Sequence, residues 1–296
     1  MKNENMIAYA KTPPSAWIQV TGNDAPNFLQ GQFSNDLEKG FNKFINNWYS
    51  YGLWLDHKGK ILADSTIVKG INSTEFWIHS SYCKAADICT RLEGFIIADD
   101  VVLDNQTNAW SAITLIGQKS RKLLENSNLD GIYAFNGRRG SEESFELIYL
   151  RSAEAQIQEI IKNCDSMSLE DLERLRIKAG VVRIPQDAGS TDLPQEVALQ
   201  KDAVSVTKGC YVGQEVMARL ANRGRIRRKL VQVRGTGQLP NIPCAVWDSE
   251  NKVGELRSAV VSDGGFIGLA LMSVSSIEAT SAFSLTANAN RDLLVS

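Results

Sequence analysis

The segment Lys208-Gly209-Cys210-Tyr211-Val212-Gly213-Gln214-Glu215 brings a cation, a thiol, an aromatic ring, an amide and a carboxylate together between glycines. A cysteine is a nucleophile or metal ligand only as thiolate, and neighbouring cations favour that form. Lys208 stands just before Cys210 and Arg219 follows downstream. The competing use of a free cysteine is as a small buried hydrophobe. One thiolate does not hold a [4Fe–4S] cluster, which takes four cysteine ligands, so cluster contact at Cys210 would need further ligands or a partner.

Other chemistry is sparse. His79 and Cys83 are spaced to share a helix face, but without two more spaced ligands they do not predict zinc, and no metal site is expected. His57 falls in a turn and is expected to be exposed. Phosphate-loop, dinucleotide and H-E-x-x-H motifs are absent, and Gly137-Arg138-Arg139-Gly140 reads as a hairpin turn. Arg219, Arg223, Arg225, Arg227, Arg228 and Lys229 form a basic stretch. It reads either as a solvated linker or as a cradle for carboxylates or RNA phosphates, the latter salt-sensitive through counterion release.

The 296 residues carry 32 basic and 34 acidic side chains and 43% hydrophobic residues, the composition of a folded protein without a global basic field. Met1 to Trp17 includes Lys2, Glu4 and Lys11 and no long apolar run, so no leader or membrane span is expected and the location reads as cytoplasmic. The five cysteines follow no C-x-x-C spacing, which predicts free thiols.

Elements that could position these residues alternate along the first two thirds. Ser15–Val20 predicts a strand, and Asp24 to Gly31 a short helix with Pro26 in its first turn. Trp48–Leu55, Lys60–Val68 and Glu75–His79 predict an antiparallel meander. Ser81 is expected to cap a helix whose inward positions include Cys89 and which ends at Gly94. Strands near 101–103, 109–117, 132–135 and 144–150 and helices over 120–125 and 152–161 complete an α+β pattern. Ser168 opens a capped helix ending at Gly180. From Ile226 short strands with glycine or proline turns predict a β-barrel, giving domains 1–225 and 226–296 with the boundary near Arg225 to Lys229. The scattered tryptophans are assigned to core or channel wall.

The Lys208–Glu215 segment with Arg219 resembles the signature K-G-C-[FY]-x-G-Q-E, followed by arginine, of the folate-binding YgfZ family of iron–sulfur cluster maintenance proteins, and fills every fixed position. Leu193-Pro194-Gln195-Glu196, Val204-Ser205-Val206-Thr207, Phe28-Leu29-Gln30-Gly31-Gln32 with Asn35-Asp36, and Leu55-Asp56-His57-Lys58-Gly59-Lys60 extend the likeness. The resemblance implies the aminomethyltransferase (glycine-cleavage T-protein) fold, a tetrahydrofolate-binding α+β body around a channel plus a C-terminal β-barrel. It also implies a role in assembly or repair of iron–sulfur enzymes, with client or assembly proteins as partners. By motif match Lys208 and Cys210 are the functional pair, and Tyr211, Gln214, Glu215, Arg219 and Asp64 the candidate folate contacts.

Two positions depart from the aminomethyltransferase pattern: Ala63 replaces one of two paired carboxylates beside Asp64, and Lys178 stands where a glutamate would meet the pterin. A lysine cannot accept those hydrogen bonds, so Asp64 or Glu215 would substitute, and classical aminomethyl transfer is disfavoured. The alternatives carried forward are a one-carbon transferase acting through Asp64 and a tRNA-modification accessory acting through the basic stretch.

Overall fold

The computed structural model describes residues 7–295, without the side chains of Asn222 and Arg223; Lys2, Glu4 and the Arg223 side chain named above lie outside that description. The predicted meander forms as Asn47–Leu55, Ile61–Lys69 and Phe76–Ser80, flanked by Asn42–Phe44 on one side and by Ala16–Thr21 and Val102–Asn105 on the other. A second sheet is built around Trp110–Ile116, with Ser144–Leu150 and Ile132–Asn136 on one side and Ala8–Lys11 and Asp165–Ser166 on the other. Trp17, Trp77, Val68 and Phe44 of the first sheet share a buried core with Ile113, Leu115, Phe145 and Leu147 of the second. Trp17 stacks on Trp77 with centroids 5.0 Å apart. Each such side chain contributes roughly 1.5–3 kcal/mol of apolar burial. Helices Ala25–Gln32 and Ala85–Glu93 bury Phe28, Leu29, Ile88 and Leu92 in a separate core with Leu53, Trp54 and Ile61 of the first sheet.

Several expectations need correction. Ser81 caps nothing: the strand continues to Ser80, whose Oγ accepts the Cys83 N–H at 3.0 Å, and the helix starts only at Ala85. His79 is therefore on a strand and Cys83 in a loop, so they share no helix face. Trp48 is largely exposed, with Lys43 over its ring at 5.4 Å. The cap at Ser168 forms as expected, its Oγ accepting the Asp171 N–H at 3.0 Å, and Gly180 follows helix Leu169–Lys178 at φ +66.

Strands from Arg228 onward make one six-stranded, nearly closed barrel-like sheet. Its two ends meet where Trp247 and Ser284 exchange N–H···O bonds of 2.8 and 3.0 Å, around a core of Val233, Val246, Phe266 and Phe283. Buried polar ties hold it to helix Leu169–Lys178. Arg176 donates to Asp187 at 2.6 Å and to Ser258 of the barrel at 2.8 Å, and Ser258 donates in turn to Asp187. Among the described residues no helix is long and apolar enough to cross a membrane.

Candidate functional site

The signature segment is fixed from below. An α-helix leaves its last carbonyls without N–H partners. At the end of helix Ala25–Gln32, the Lys208 ammonium donates to the carbonyls of Gln30 at 2.6 Å, Phe33 at 2.8 Å and Asn35 at 2.8 Å. An ammonium has three N–H donors, so these carbonyls engage all of them. Burial pulls the Lys208 pKa down to about 8, against the opposing charges of Asp36 and Glu38. Lys208 also lies over the ring of Tyr211 at 5.1 Å, and the Tyr211 hydroxyl donates to the Ser205 carbonyl at 3.0 Å. Burial pushes that phenol up to about 12. Both side chains hold the loop.

The next constraint is a pair of glycines. Gly213 precedes helix Gln214–Arg223 at φ +88, and a Cβ there would sit 2.8 Å from the Asp56 carbonyl oxygen. Gly59, in the hairpin after Asp56, has φ +72, and its Cβ would meet Met217 Cε at 2.7 Å. The hairpin and the helix start approach closely: the positive φ strains a side chain at either glycine, and at Gly213 the Asp56 backbone blocks it as well. Gln214 turns back, its Nε2 donating to the Lys208 carbonyl at 3.3 Å.

On this base Cys210 faces outward, the one exposed cysteine of the five. It borders a cleft of about 690 Å³ whose walls include Leu62, Phe95, Arg91 and His57, with Tyr211, Gln214 and Glu215 on the signature side. That volume is in the range of small-molecule sites. Arg91, which sequence reasoning missed, donates to the Leu55 carbonyl at 3.0 Å and to Gln32 at 3.1 Å, and lies over Trp54 and Phe95 at 5.5 and 5.2 Å. Burial lowers its pKa to about 10. Burial raises the pKa of Cys83, Cys89, Cys164 and Cys244, disfavouring their thiolates. Arg219 is exposed on the signature helix and does not line the cleft.

Asp64 lies elsewhere. Its carboxylate accepts from Tyr51 Oη at 3.0 Å and from Cys83 Sγ at 3.4 Å, and burial raises its pKa. It faces a polar cavity of about 40 Å³ shared with Thr66, His79, Tyr82 and Arg138. Arg138 covers the Tyr51 ring at 4.3 Å and pairs with Asp202 at 3.2 Å. Leu62 lines the cleft and Asp64 the cavity, one pleat apart along strand Ile61–Lys69, or roughly 7 Å. Of the predicted site residues, Cys210, Tyr211, Gln214 and Glu215 line the cleft and Asp64 the cavity, while Lys208 and Arg219 line neither. Lys178 is exposed and lines neither, its carbonyl accepting from Gln232 Nε2 at 2.8 Å.

The basic stretch divides as well. Arg228 pairs with Glu196 at 2.9 Å and Asp192 at 3.1 Å, whereas Arg219, Arg225, Arg227 and Lys229 are exposed. Among the described residues, no group of three or more histidine, cysteine or acidic side chains is placed to hold a metal ion.

Residues 14–133 match the family described as the GCVT N-terminal domain. The tRNA-modifying protein YgfZ of Hamiltonella defensa is 25% identical over 241 residues, covering 76% of this chain and 69% of that protein. The mitochondrial iron-sulfur cluster assembly factor IBA57 of Mus musculus is 34% identical over 113 residues, covering 35% of this chain and 30% of its own. The crystal structure of glycine cleavage system aminomethyltransferase T from Bartonella henselae superposes with a TM-score of 0.72 at 17% identity, over 91% of this chain and 79% of that one. The fold is aminomethyltransferase-like.

Proposed function

From its membership of the YgfZ family, we propose that this protein is a cytoplasmic accessory factor for assembly or repair of iron–sulfur enzymes, working through Cys210. Residues 1–225 serve as its ligand-binding body and 226–296 as its barrel domain. The carrying observation is the placement of Cys210: the one exposed thiol, at a cleft of small-molecule size, on a loop fixed by Lys208, Tyr211 and Gly213. A rigid, accessible thiol suits capture or hand-over of a reactive group better than a flexible one, because little ordering remains to be done on contact.

Tetrahydrofolate is the proposed ligand, and the donor set suits it. Asp64 offers a carboxylate acceptor for the amino-pyrimidine edge, in place of the position taken by Lys178. Phe95 and Leu62 offer apolar contact, and Gln214 and Glu215 polar contact, in the neighbouring cleft. The 40 Å³ beside Asp64 is room for water, so a pterin there requires the cavity to widen, and Arg138, over the Tyr51 ring, is one of its walls. When bound, the folate supplies one-carbon carrier chemistry. The chain's own residues bind and orient it, with Tyr51 holding the Asp64 carboxylate by its hydroxyl. Tyr211 and Lys208 act by keeping the loop in place, and Arg219 is assigned to the exposed flank of the helix.

The test is complementation of cells lacking the protein. Cys210→Ala is expected to leave [4Fe–4S] client enzymes at the level of the null strain, and restoration to wild-type activity sinks the reading. A second reading, action on tRNA, is favoured by the exposed Arg225, Arg227 and Lys229 and by the name of the YgfZ relative. It requires tRNA binding that weakens steeply with salt and on Arg225→Ala/Arg227→Ala substitution.

A further inference from the structure

Arg91 has no part in the reading above. It sits in the last turn of helix Ala85–Glu93 and lines the cleft that Cys210 borders. Arg139, Arg176 and Arg257 each meet a carboxylate at 2.6 Å, whereas Arg91 forms no ion pair among the described residues. Burial lowers its pKa and no acid raises it. A cation taken out of water without a counter-charge is costly, and the Nε of Arg91, buried with no hydrogen-bond partner, adds to that cost. Nη1 and Nη2 each use one N–H, on Gln32 and on the Leu55 carbonyl, which leaves one on each nitrogen. Two such groups on a planar guanidinium match the two oxygens of a carboxylate.

The rest of the lining narrows the ligand. Asp56 is engaged within its own hairpin, its Oδ1 accepting the Lys58 and Lys60 N–H groups at 2.8 Å each. Glu215 stands in the first turn of helix Gln214–Arg223, where its charge offsets the positive end of the helix. Both carboxylates border the cleft, so a singly charged anion fits there better than a doubly charged phosphate. Leu62 and Phe95, 39% and 43% exposed, offer cover for an apolar body, and Phe95 also lies 5.2 Å from the Arg91 guanidinium. The cation and the thiol are carried by segments in contact: Arg91 is bonded to Leu55, whose Cβ would stand 3.2 Å from a Cβ on Gly213, three residues after Cys210.

We propose that Arg91 and the cleft form a binding site for a small monocarboxylate with an apolar body, an inference that rests on the Cys210 reading for its reporter thiol and not on folate. In the full-length protein, Cys210 is alkylated with 6-maleimidohexanoate, a carboxylate on an apolar stem, and with neutral N-ethylmaleimide. Mass spectrometry of the Cys210 peptide reads both rates. The ratio of the first rate to the second is expected to fall about 10-fold in Arg91→Gln, the loss of a charge-assisted contact, and Arg91→Lys to recover part of it. In wild type, millimolar 3-phenylpropionate is expected to slow the carboxylate reagent, with 3-phenylpropanol and phenyl phosphate protecting less.

An unchanged ratio in a folded Arg91→Gln variant, equal protection by the alcohol, or stronger protection by the phosphate each overturns the inference. If Arg91→Gln does not fold, the wild-type competition decides alone. Failure of N-ethylmaleimide to label Cys210 removes the thiol reading instead. Calorimetry of wild type with 3-phenylpropionate then decides the carboxylate site, and no binding at millimolar concentration overturns it.

Discussion

Replacing Lys208 by methionine separates two uses of that residue. Methionine keeps much of the apolar stem but removes the ammonium that three carbonyls share. Hydrogen bonds to a charged group contribute about 1.5–3 kcal/mol each, roughly 4.5–9 kcal/mol for three. Burial, net of the Asp36 and Glu38 charges, opposes them: a fall from 10.5 to about 8 corresponds to about 3.4 kcal/mol at 1.36 kcal/mol per pKa unit. With Lys208 only 7% exposed, little solvent screening applies, and the net loss in Lys208→Met is about 3 kcal/mol. Urea unfolding checks it as a lowered midpoint at unchanged slope. The paired assay is iodoacetamide alkylation of Cys210 across pH in the folded variant. If Lys208 acted mainly as counter-charge to the thiolate, the alkylation midpoint would rise while stability held. A stability change below about 0.5 kcal/mol together with an upward-shifted midpoint refutes the anchoring argument.

Three further outcomes follow from the same coordinates. Gly213→Ala meets both a positive φ and the Asp56 carbonyl and is expected to lose about 1–3 kcal/mol, whereas Gly209→Ala, with nothing within 4 Å of its Cβ, should lose under about 1; equal losses by denaturation contradict the interlock. His79 titrates near 4 folded and near 6.5 unfolded, so the unfolded chain binds more protons between those values and stability rises with pH through that window, by about 3.4 kcal/mol; His79→Phe should flatten this rise in melts from pH 4 to 7, and an unchanged slope rules it out. Asp64 has the opposite sign: its raised pKa means the folded chain binds more protons above 3.8, so stability falls as pH rises through the folded value, and Asp64→Asn should melt higher than wild type at pH 7.

Local pattern made much of the fold legible. The helix Ser120–Glu125 and the strand Ser144–Leu150 run as their periodicity predicts, and Ser168 caps its helix, because each depends on neighbours within a few residues. Ala8–Lys11 and Leu293–Val295 escaped because each short strand is held by distant partners, and Asn42–Phe44 because three residues with one apolar side chain show no alternation, although its partner Asn47–Tyr49 is close by. Helix Gln214–Arg223 was hidden by a start at a left-handed glycine and by a polar surface around the buried Met217. The Cys210 signature named its own residues but not their roles: Lys208 finds backbone carbonyls, which no side-chain pattern announces. Arg91, Arg138 and His79 gain meaning only where separate strands and loops meet, so spacing along the chain could not pair them with Cys210 or Asp64. Gly59 and Gly213 lie far apart in the sequence, and only in the fold do they register as a contact.

The Lys208 anchor also sets an order of events at the ribosome. Its acceptors lie 178, 175 and 173 residues earlier, so the segment bearing Cys210 has nowhere to dock until both ends of that span have emerged. Domains fold largely from the N-terminus as synthesis proceeds. A chain halted before Lys208 can therefore pair the strands that carry Asp64, Tyr51 and His79 yet carries neither the exposed thiol nor the Tyr211–Glu215 wall of the cleft.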